Sequence, residues 1–548
     1  MGQHWYDNAV IYSVDVETYA DSNEDGVGDF RGLIGRLDYL YRLGVTCLWL
    51  APIHPSPRRD GGYDVADFYG VDPRLGTLGD FAELLHEASN RGIKVIIDLV
   101  VNHTSDEHPW FQDAISSPDS PYRDWFIWAD SEPADRRQGM VFPGEQDETW
   151  TYHRKAKAWY YHRFYKFQPD LNVTNPAVRA EIKRIMAFWL QLGVAGFRMD
   201  AAPFIIEETE PGNANPAKDF EFLTELRAHA SWRRGDAVLL AEANVAVDEI
   251  VQYFGDSGGS GNRINMLFDF LLNDSMVLAL ARRRAEPLIL ALGESPTLPE
   301  GGQWATFLRN HDEIDLSRLT AEQRQEVFAE FGPDPDMHLY DRGIRRRLAP
   351  MLGGDRHRLE LAYSLQFSMR GTPVLRYGEE IGMGDDLSLP GRNAIRTPMQ
   401  WSDAANGGFS AAEPVRPAIA KGPYGYPTVN VTAQRHDPSS LLSWFERMIR
   451  TLRESPEVGA GQCAAIDDAS LPPAVLAHRA DGPTGTMLFL HNLDEEPVRV
   501  DMSRLEGEAD NPNQVFGDQP YEEKLDLSNL ELGGFGYRWI RVCRNPAG

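Results

Sequence analysis

Short apolar runs alternate with stretches of helical spacing along most of the chain. The runs are Ala9–Val14, Val45–Leu50, Ile93–Val101, Ala195–Asp200, Ala237–Ala241, Ile264–Asp269, Ala305–Arg309 and Thr372–Tyr377. Each is mostly apolar at successive positions rather than at every second one, as in strands buried on both faces of a parallel sheet. Between them, Leu33–Leu43, Leu78–Asn90, Val178–Leu192 and Arg358–Ser368 space their apolar residues as helices do. This alternation predicts an α/β fold, a (β/α)8 TIM barrel, whose active site gathers at the carboxyl ends of its strands.

Two stretches depart from a minimal barrel. The connection from Thr104 to Asn172 is too long for a simple loop and rich in Trp, Tyr, Asp and Pro. It reads as a subdomain, residues 104–172, inserted after the third strand and overhanging the site. Beyond residue 455 the helical spacing gives way to short apolar runs such as Ala474–Ala477, Thr486–Leu490 and Tyr537–Val542, punctuated by turn residues. Residues 456–548 are therefore expected to form a C-terminal all-β sandwich domain. That leaves residues 1–103 and 173–455 for the barrel.

A chain of 548 residues exceeds one core, in keeping with that division. Its net charge of −28 argues against nucleic acid and anionic membranes as partners and suits small neutral substrates. Cys47, Cys463 and Cys543 are too few and too scattered for a disulfide framework or a zinc site, and Cys47 reads as core packing. The N-terminus lacks a basic segment followed by an apolar one, and no apolar run has transmembrane length. A cytoplasmic protein is expected, and self-association into a homo-oligomer is compatible with the sequence.

The chemistry lies where the runs end. Arg198 and Asp200 stand two residues apart at the end of the fourth run, on one face of a strand, so the guanidinium can hold the carboxylate ionised. Glu242 follows the fifth run, and Asn310-His311-Asp312-Glu313 follows the seventh. Carboxylates at three strand ends suggest a nucleophile, a proton donor and a substrate clamp, the equipment of a glycosidase. Separately, Asp21, Asn23 and Asp25 alternate before Gly26, with Val27 and Asp29 continuing the spacing of a calcium loop. Gly32 stands where an EF-hand has its Glu, so the loop lacks the full EF-hand pattern.

Asp98-Leu-Val-Val-Asn102-His103, Gly196-Phe-Arg-Met-Asp200, Glu242 and Asn310-His311-Asp312, in this order, resemble the motifs of glycoside hydrolase family 13, the α-amylase superfamily. Within it the chain is most similar to the trehalose synthase branch, through Asp21 to Gly32, Asn102 to Phe111, Gly343 to Pro350 and Arg396-Thr-Pro-Met-Gln-Trp401. The resemblance implies a retaining α-glucosyl enzyme interconverting maltose and trehalose, with side hydrolysis and no organic cofactor. An exo-acting α-glucosidase or glucosyltransferase on another small α-glucoside is the alternative. Asp200 would form the glucosyl-enzyme, Glu242 would serve as acid and then base, and Asp312 would grip the sugar hydroxyls with His103 and His311.

The resemblance further implies that Asp60 pairs with Arg392 to wall off a pocket for one glucose. Tyr63 would stack beneath the ring, and Phe164 and Gln168 would complete the subsite. It also implies a second, structural Ca²⁺ site at Asn102, Asp170 and Glu207 with the carbonyls of Phe204 and Ile205. Departures from the branch cluster where a second sugar would sit: Val245 and Ala246 replace Gln-Trp, Ser317 replaces an acid, and Phe167 replaces the His before Gln-Pro-Asp. These changes predict a leakier acceptor site.

Overall fold

The computed structural model describes residues 4–210, 212–213, 215–255, 261–460, 462–482, 485–505, 510–521 and 525–543. Eight parallel strands close into a barrel: β1 (Ile11–Val14), β2 (Cys47–Leu50), β3 (Lys94–Leu99), β4 (Gly196–Met199), β5 (Val238–Ala241), β6 (Met266–Phe268), β7 (Gln303–Thr306) and β8 (Thr372–Arg376). Each strand pairs with its sequence neighbour, and β8 pairs with β1 to close the ring. The expected barrel is present, with one shift. The seventh strand starts at Gln303 and ends at Thr306, so Phe307 and Leu308, expected in it, lie in the segment leading to the site.

The barrel interior is filled rather than open. Ile11, Cys47, Trp49, Ile96, Leu240, Met266, Phe268 and Val374 form one buried cluster inside the ring. Full burial of such a side chain contributes roughly 1.5–3 kcal/mol, so this plug fixes the ring on which the site stands. Cys47 is fully buried there, and burial pushes its thiol pKa up.

Helices Leu78–Asn90, Pro176–Leu192 and Arg356–Ser368 cover the outside much as their apolar spacing predicts. The expected helix Leu33–Leu43 is instead two, Phe30–Ile34 and Leu37–Leu43, because the chain turns at Gly35 and Arg36. Gly196 opens β4 with φ 150°, and a Cβ there would lie 2.1 Å from the Val238 carbonyl oxygen. Only glycine lets β4 and β5, the strands that carry Asp200 and Glu242, approach so closely.

The long insertion holds a three-stranded antiparallel sheet of Trp128–Ala129, Trp150–His153 and Ala158–Tyr161. An isolated bridge between His103 and Asp170 ties it to the barrel, and a second, Phe126 with Leu171, lies within the insertion itself. Near the C-terminus a five-stranded sheet faces a two-stranded one, Val498–Val500 with Leu530–Leu532, across a core that includes Val475, Leu488, Leu490 and Ile540. Trp444 of the helix Leu441–Arg453 joins this unit to the barrel, its indole N–H donating to the Tyr537 hydroxyl at 2.6 Å. Among the described residues no helix is long and apolar enough to cross a membrane.

Candidate active site

The parallel register sets the first geometry. Asp98 on β3 lies beside Arg198 on β4, and Arg198 lies beside Leu240 on β5. The amides of Asp200 and Glu242 continue the ladder past the strand ends, bonding the carbonyls of Leu99 and Met199. Arg198, 1% exposed, donates from Nη1 to Asp98 Oδ1 at 3.0 Å and to Asp200 Oδ1 at 2.6 Å, while its Nη2 lies 2.6 Å from Glu242 Oε2. Three acids thus share one guanidinium.

One cation cannot balance three buried anions, so protons are retained. Burial raises Asp98 to about 7 against the pull of Arg198. Burial likewise raises Glu242 to about 7, with Arg198 opposing and the charges of Asp200 and Asp312 assisting. Ala201, the residue after Asp200, sits in left-handed backbone at φ 50°, where a non-glycine residue is strained. That turn directs its amide toward Glu242 Oε2, 3.4 Å away.

Asp312 sits in the opposite electrostatic setting. Burial would raise its pKa, but the guanidinium groups of Arg392 (3.0 Å) and Arg396 (2.8 Å) beside the carboxylate hold it well below the usual range. Burial keeps His311 and His103 neutral. His311 Nε2 bonds the Tyr63 hydroxyl at 2.6 Å and the two rings stack, while His103 Nε2 bonds the Tyr63 carbonyl oxygen at 3.0 Å. A cavity of about 320 Å³, lined by Asp60, Tyr63, His103, Phe164, Asp200, Glu242, Asp312 and Arg392 among others, unites these groups.

Two expectations are corrected. Arg392 does not pair with Asp60: it reaches Asp312 and, through a two-point contact at 2.7 and 3.3 Å, Glu313. A carboxylate next in sequence to Asp312 outcompetes Asp60, which accepts instead from Gln168 Nε2 at 2.9 Å and is raised by burial to about 6. Gln168 is therefore not a lining residue but a support behind Asp60. Sequence reading did not single out Asp98, Glu313 and Arg396 as site residues. Each occurs within a quoted motif, yet their roles depend on contacts across the barrel mouth.

Of the departures from the family pattern, one reaches the cavity. Ser317 lines it, whereas Val245 and Ala246 do not. Asn244 donates to Ser317 Oγ at 3.2 Å and to Asp315 Oδ2 at 3.3 Å, and Arg318 Nη1 donates to Asn244 Oδ1 at 3.0 Å. Arg342 bonds Asp315 and the Val141 carbonyl, and Phe142 of the insertion stacks on Tyr340 with ring centroids 4.6 Å apart. The insertion thus roofs the cavity.

Among the expected calcium ligands, Asp21 accepts amides of Asn23, Glu24 and Gly26, Asn23 accepts Asp25 N, and Asp25 accepts Val27 N. Asp29 binds Ser22 and caps the helix at Gly32. Among the described residues no three His, Cys, Asp or Glu side chains gather as a metal cluster. The second set is oxygen-rich, as calcium requires, but an internal cation lies within it. Arg163 Nη2 reaches Glu207 Oε2 at 2.5 Å and its amide binds Asp170 Oδ1, whose other oxygen accepts Asn102 Nδ2 at 3.2 Å. Burial still raises Asp170 to about 7 and raises Glu207, so negative charge there remains undercompensated.

A barrel with carboxylates at the ends of β4 and β5 and a third after β7 defines the class of (β/α)8 carbohydrate-active enzymes. The chain matches the α-amylase catalytic domain over residues 13–330 and 344–461 and belongs to that family. It is 41% identical over 553 residues to the trehalose synthase of Pimelobacter sp. strain R48, covering 98% of this chain and 96% of that protein. It is 32% identical to the oligo-1,6-glucosidase of Parageobacillus thermoglucosidasius, covering 83% of this chain and 84% of that one. Among solved structures, the α-amylase from H. orenii superimposes with a TM-score of 0.79 at 27% identity, covering 99% of this chain and all of that chain.

Arg163 provides a test of the charge balance near Asp170. Arg163→Gln removes one partner of a buried pair, at a cost of about 3–5 kcal/mol. A carboxyl raised in the folded state stabilises at low pH and loses that contribution as pH climbs through its folded value, here about 7 for Asp170. The drop in Tm is therefore expected to be larger at pH 8 than at pH 5. An equal drop at both pH values would contradict the assignment.

Proposed function

We propose that this protein is a retaining α-glucosyl enzyme that interconverts maltose and trehalose through a covalent glucosyl-Asp200 intermediate, acting in the cytoplasm. The observation that carries the reading is Arg198, which holds Asp200 and Glu242 on its two amino groups while Glu242 keeps its proton to about pH 7. Asp200 attacks the anomeric carbon, and the Glu242 proton passes to the leaving glycosidic oxygen. Glu242, now ionised, takes the proton of the incoming anomeric hydroxyl as the new bond forms and Asp200 leaves. Asp312, fixed as an anion, grips sugar hydroxyls, and the roof made by Phe142, Tyr340 and Arg342 detains the freed glucose. Likeness to a trehalose synthase over nearly the whole chain supports this choice of substrate pair.

A second reading, an α-glucosidase on small α-glucosides, draws on the acceptor side, where Ser317 and Asn244 offer neutral contacts. Separating the sugars formed from maltose distinguishes the two. Trehalose as an early product, accompanied by some free glucose, is expected. Glucose alone, even early and at high maltose, would establish the hydrolase. Asp200→Asn should lose essentially all turnover in either case.

The pH profile tests the proton donor. With Glu242 at about 7, kcat/KM should fall about tenfold per unit at higher pH, as the donor loses its proton. Glu242→Gln should remove that limb from whatever activity remains. Persistence of the limb would transfer the role to another group.

We further propose a structural Ca²⁺ held by Asn102, Asp170 and Glu207 with the Phe204 and Ile205 carbonyls, and a second in the Asp21–Asp29 loop. The undercompensated carboxyls beside Arg163 support the first of these. Bound calcium would supply charge and cross-linking, not chemistry. Chelation should lower Tm by several degrees, with recovery on adding Ca²⁺ but not Na⁺. An unchanged Tm would dismiss both ions.

A further inference from the structure

Away from the barrel mouth, a cleft of about 520 Å³ opens between the Leu37–Leu43 helix, the Val431–Arg435 helix and Trp401. Arg36, Arg42 and Arg435 line it, on a chain whose net charge is −28. Asp38 also lines it, but Arg91 engages that carboxylate at 2.7 Å. Among the described residues, no carboxylate lies within ion-pair distance of the three lining guanidinium groups. Nearby surface arginines differ: Arg31 is paired with Asp80 at 2.7 Å, and Arg74 with Asp72 and Glu17.

Arg36 is the most constrained of the three. Its guanidinium sits 4.2 Å from the centre of the Trp401 ring, and Arg435 faces the Tyr39 ring at 5.7 Å. Burial pushes Arg36 below its ordinary pKa, and the like charge of Arg435 adds to the shift. Arginine nonetheless stays charged, so like charges converge on the cleft without compensation. A doubly charged anion removes that repulsion, and a guanidinium fork matches phosphate geometry with two parallel hydrogen bonds.

We propose that this cleft binds a phosphoryl anion, either free phosphate or the phosphoryl group of a sugar phosphate, through Arg36, Arg42 and Arg435. The cleft is larger than phosphate alone requires, and the hydroxyls of Ser402 and Thr432 lie in its lining. The Thr432 hydroxyl donates to the Trp401 carbonyl at 2.9 Å, which leaves its lone pairs free to accept from a ligand hydroxyl. The site is separate from the sugar cavity, with which it shares no lining residue.

Isothermal titration of the full chain with sodium phosphate, and separately with glucose 6-phosphate, tests the site against sodium chloride at matched ionic strength. Saturable one-to-one binding is expected, weakened about tenfold or more in Arg42→Gln/Arg435→Gln, whose exposed side chains leave Tm unchanged. Arg36→Lys, which keeps the charge and loses the fork, should also weaken it. Asp312→Asn should leave it intact, separating this cleft from the sugar cavity. Equal affinity for both probes assigns binding to the phosphoryl group alone, and tighter binding of glucose 6-phosphate adds the hydroxyl contacts. Heats no greater than those of chloride, or binding that survives the double substitution or fails in Asp312→Asn, would overturn the proposal.

Discussion

The barrel mouth depends on one buried guanidinium. Arg198 is 1% exposed and contacts Asp98, Asp200 and Glu242, so each charge there is tolerable only because of the others. Taking an isolated ion out of water costs several kcal/mol, and removing Arg198 would leave up to three carboxylates with that cost uncompensated. Burial raises Asp98 and Glu242 to about 7 against the pull of that shared guanidinium, with the charge of Asp200 assisting. Charge balance and the supply of a proton donor are thus one physical fact. Both require β3, β4 and β5 in their observed register, which the close approach at Gly196 permits.

A second set of charges works in the other direction. Arg392 and Arg396 meet at Asp312 Oδ1, and Arg392 also spans Glu313, so there cations suffice for the acids and the carboxylate stays ionised. Two carboxyls lining one cavity are driven apart: burial takes Glu242 upward against its one shared guanidinium, whereas Arg392 and Arg396 outweigh burial and hold Asp312 down. Such divergence assigns acid and anion roles without any difference in residue chemistry. Arg163, between Asp170 and Glu207, repeats the theme at the root of the inserted segment.

The insertion gives the cavity its enclosure. Phe142 stacks on Tyr340, and Arg342 ties the Val141 carbonyl to Asp315, so the roof is fastened to the segment following β7. That fastening encloses the cavity, whereas the charges at its floor depend on Arg198.

Much of this was legible along the chain because it is local. Apolar runs at successive positions predict a parallel barrel, and residues just beyond such runs must lie at its active face, which located Asp200, Glu242 and Asp312. Spacing of two within a strand also linked Arg198 to Asp200. What the sequence could not determine is which partner wins when several acids compete for one guanidinium. Arg392 takes Glu313 and Asp312 over Asp60, Gln168 moves behind Asp60, and Arg163 enters the oxygen cluster expected for calcium. Those outcomes depend on distances and burial between residues far apart in the chain. Coulomb energy and desolvation vary with position in space, so only the tertiary structure could decide them.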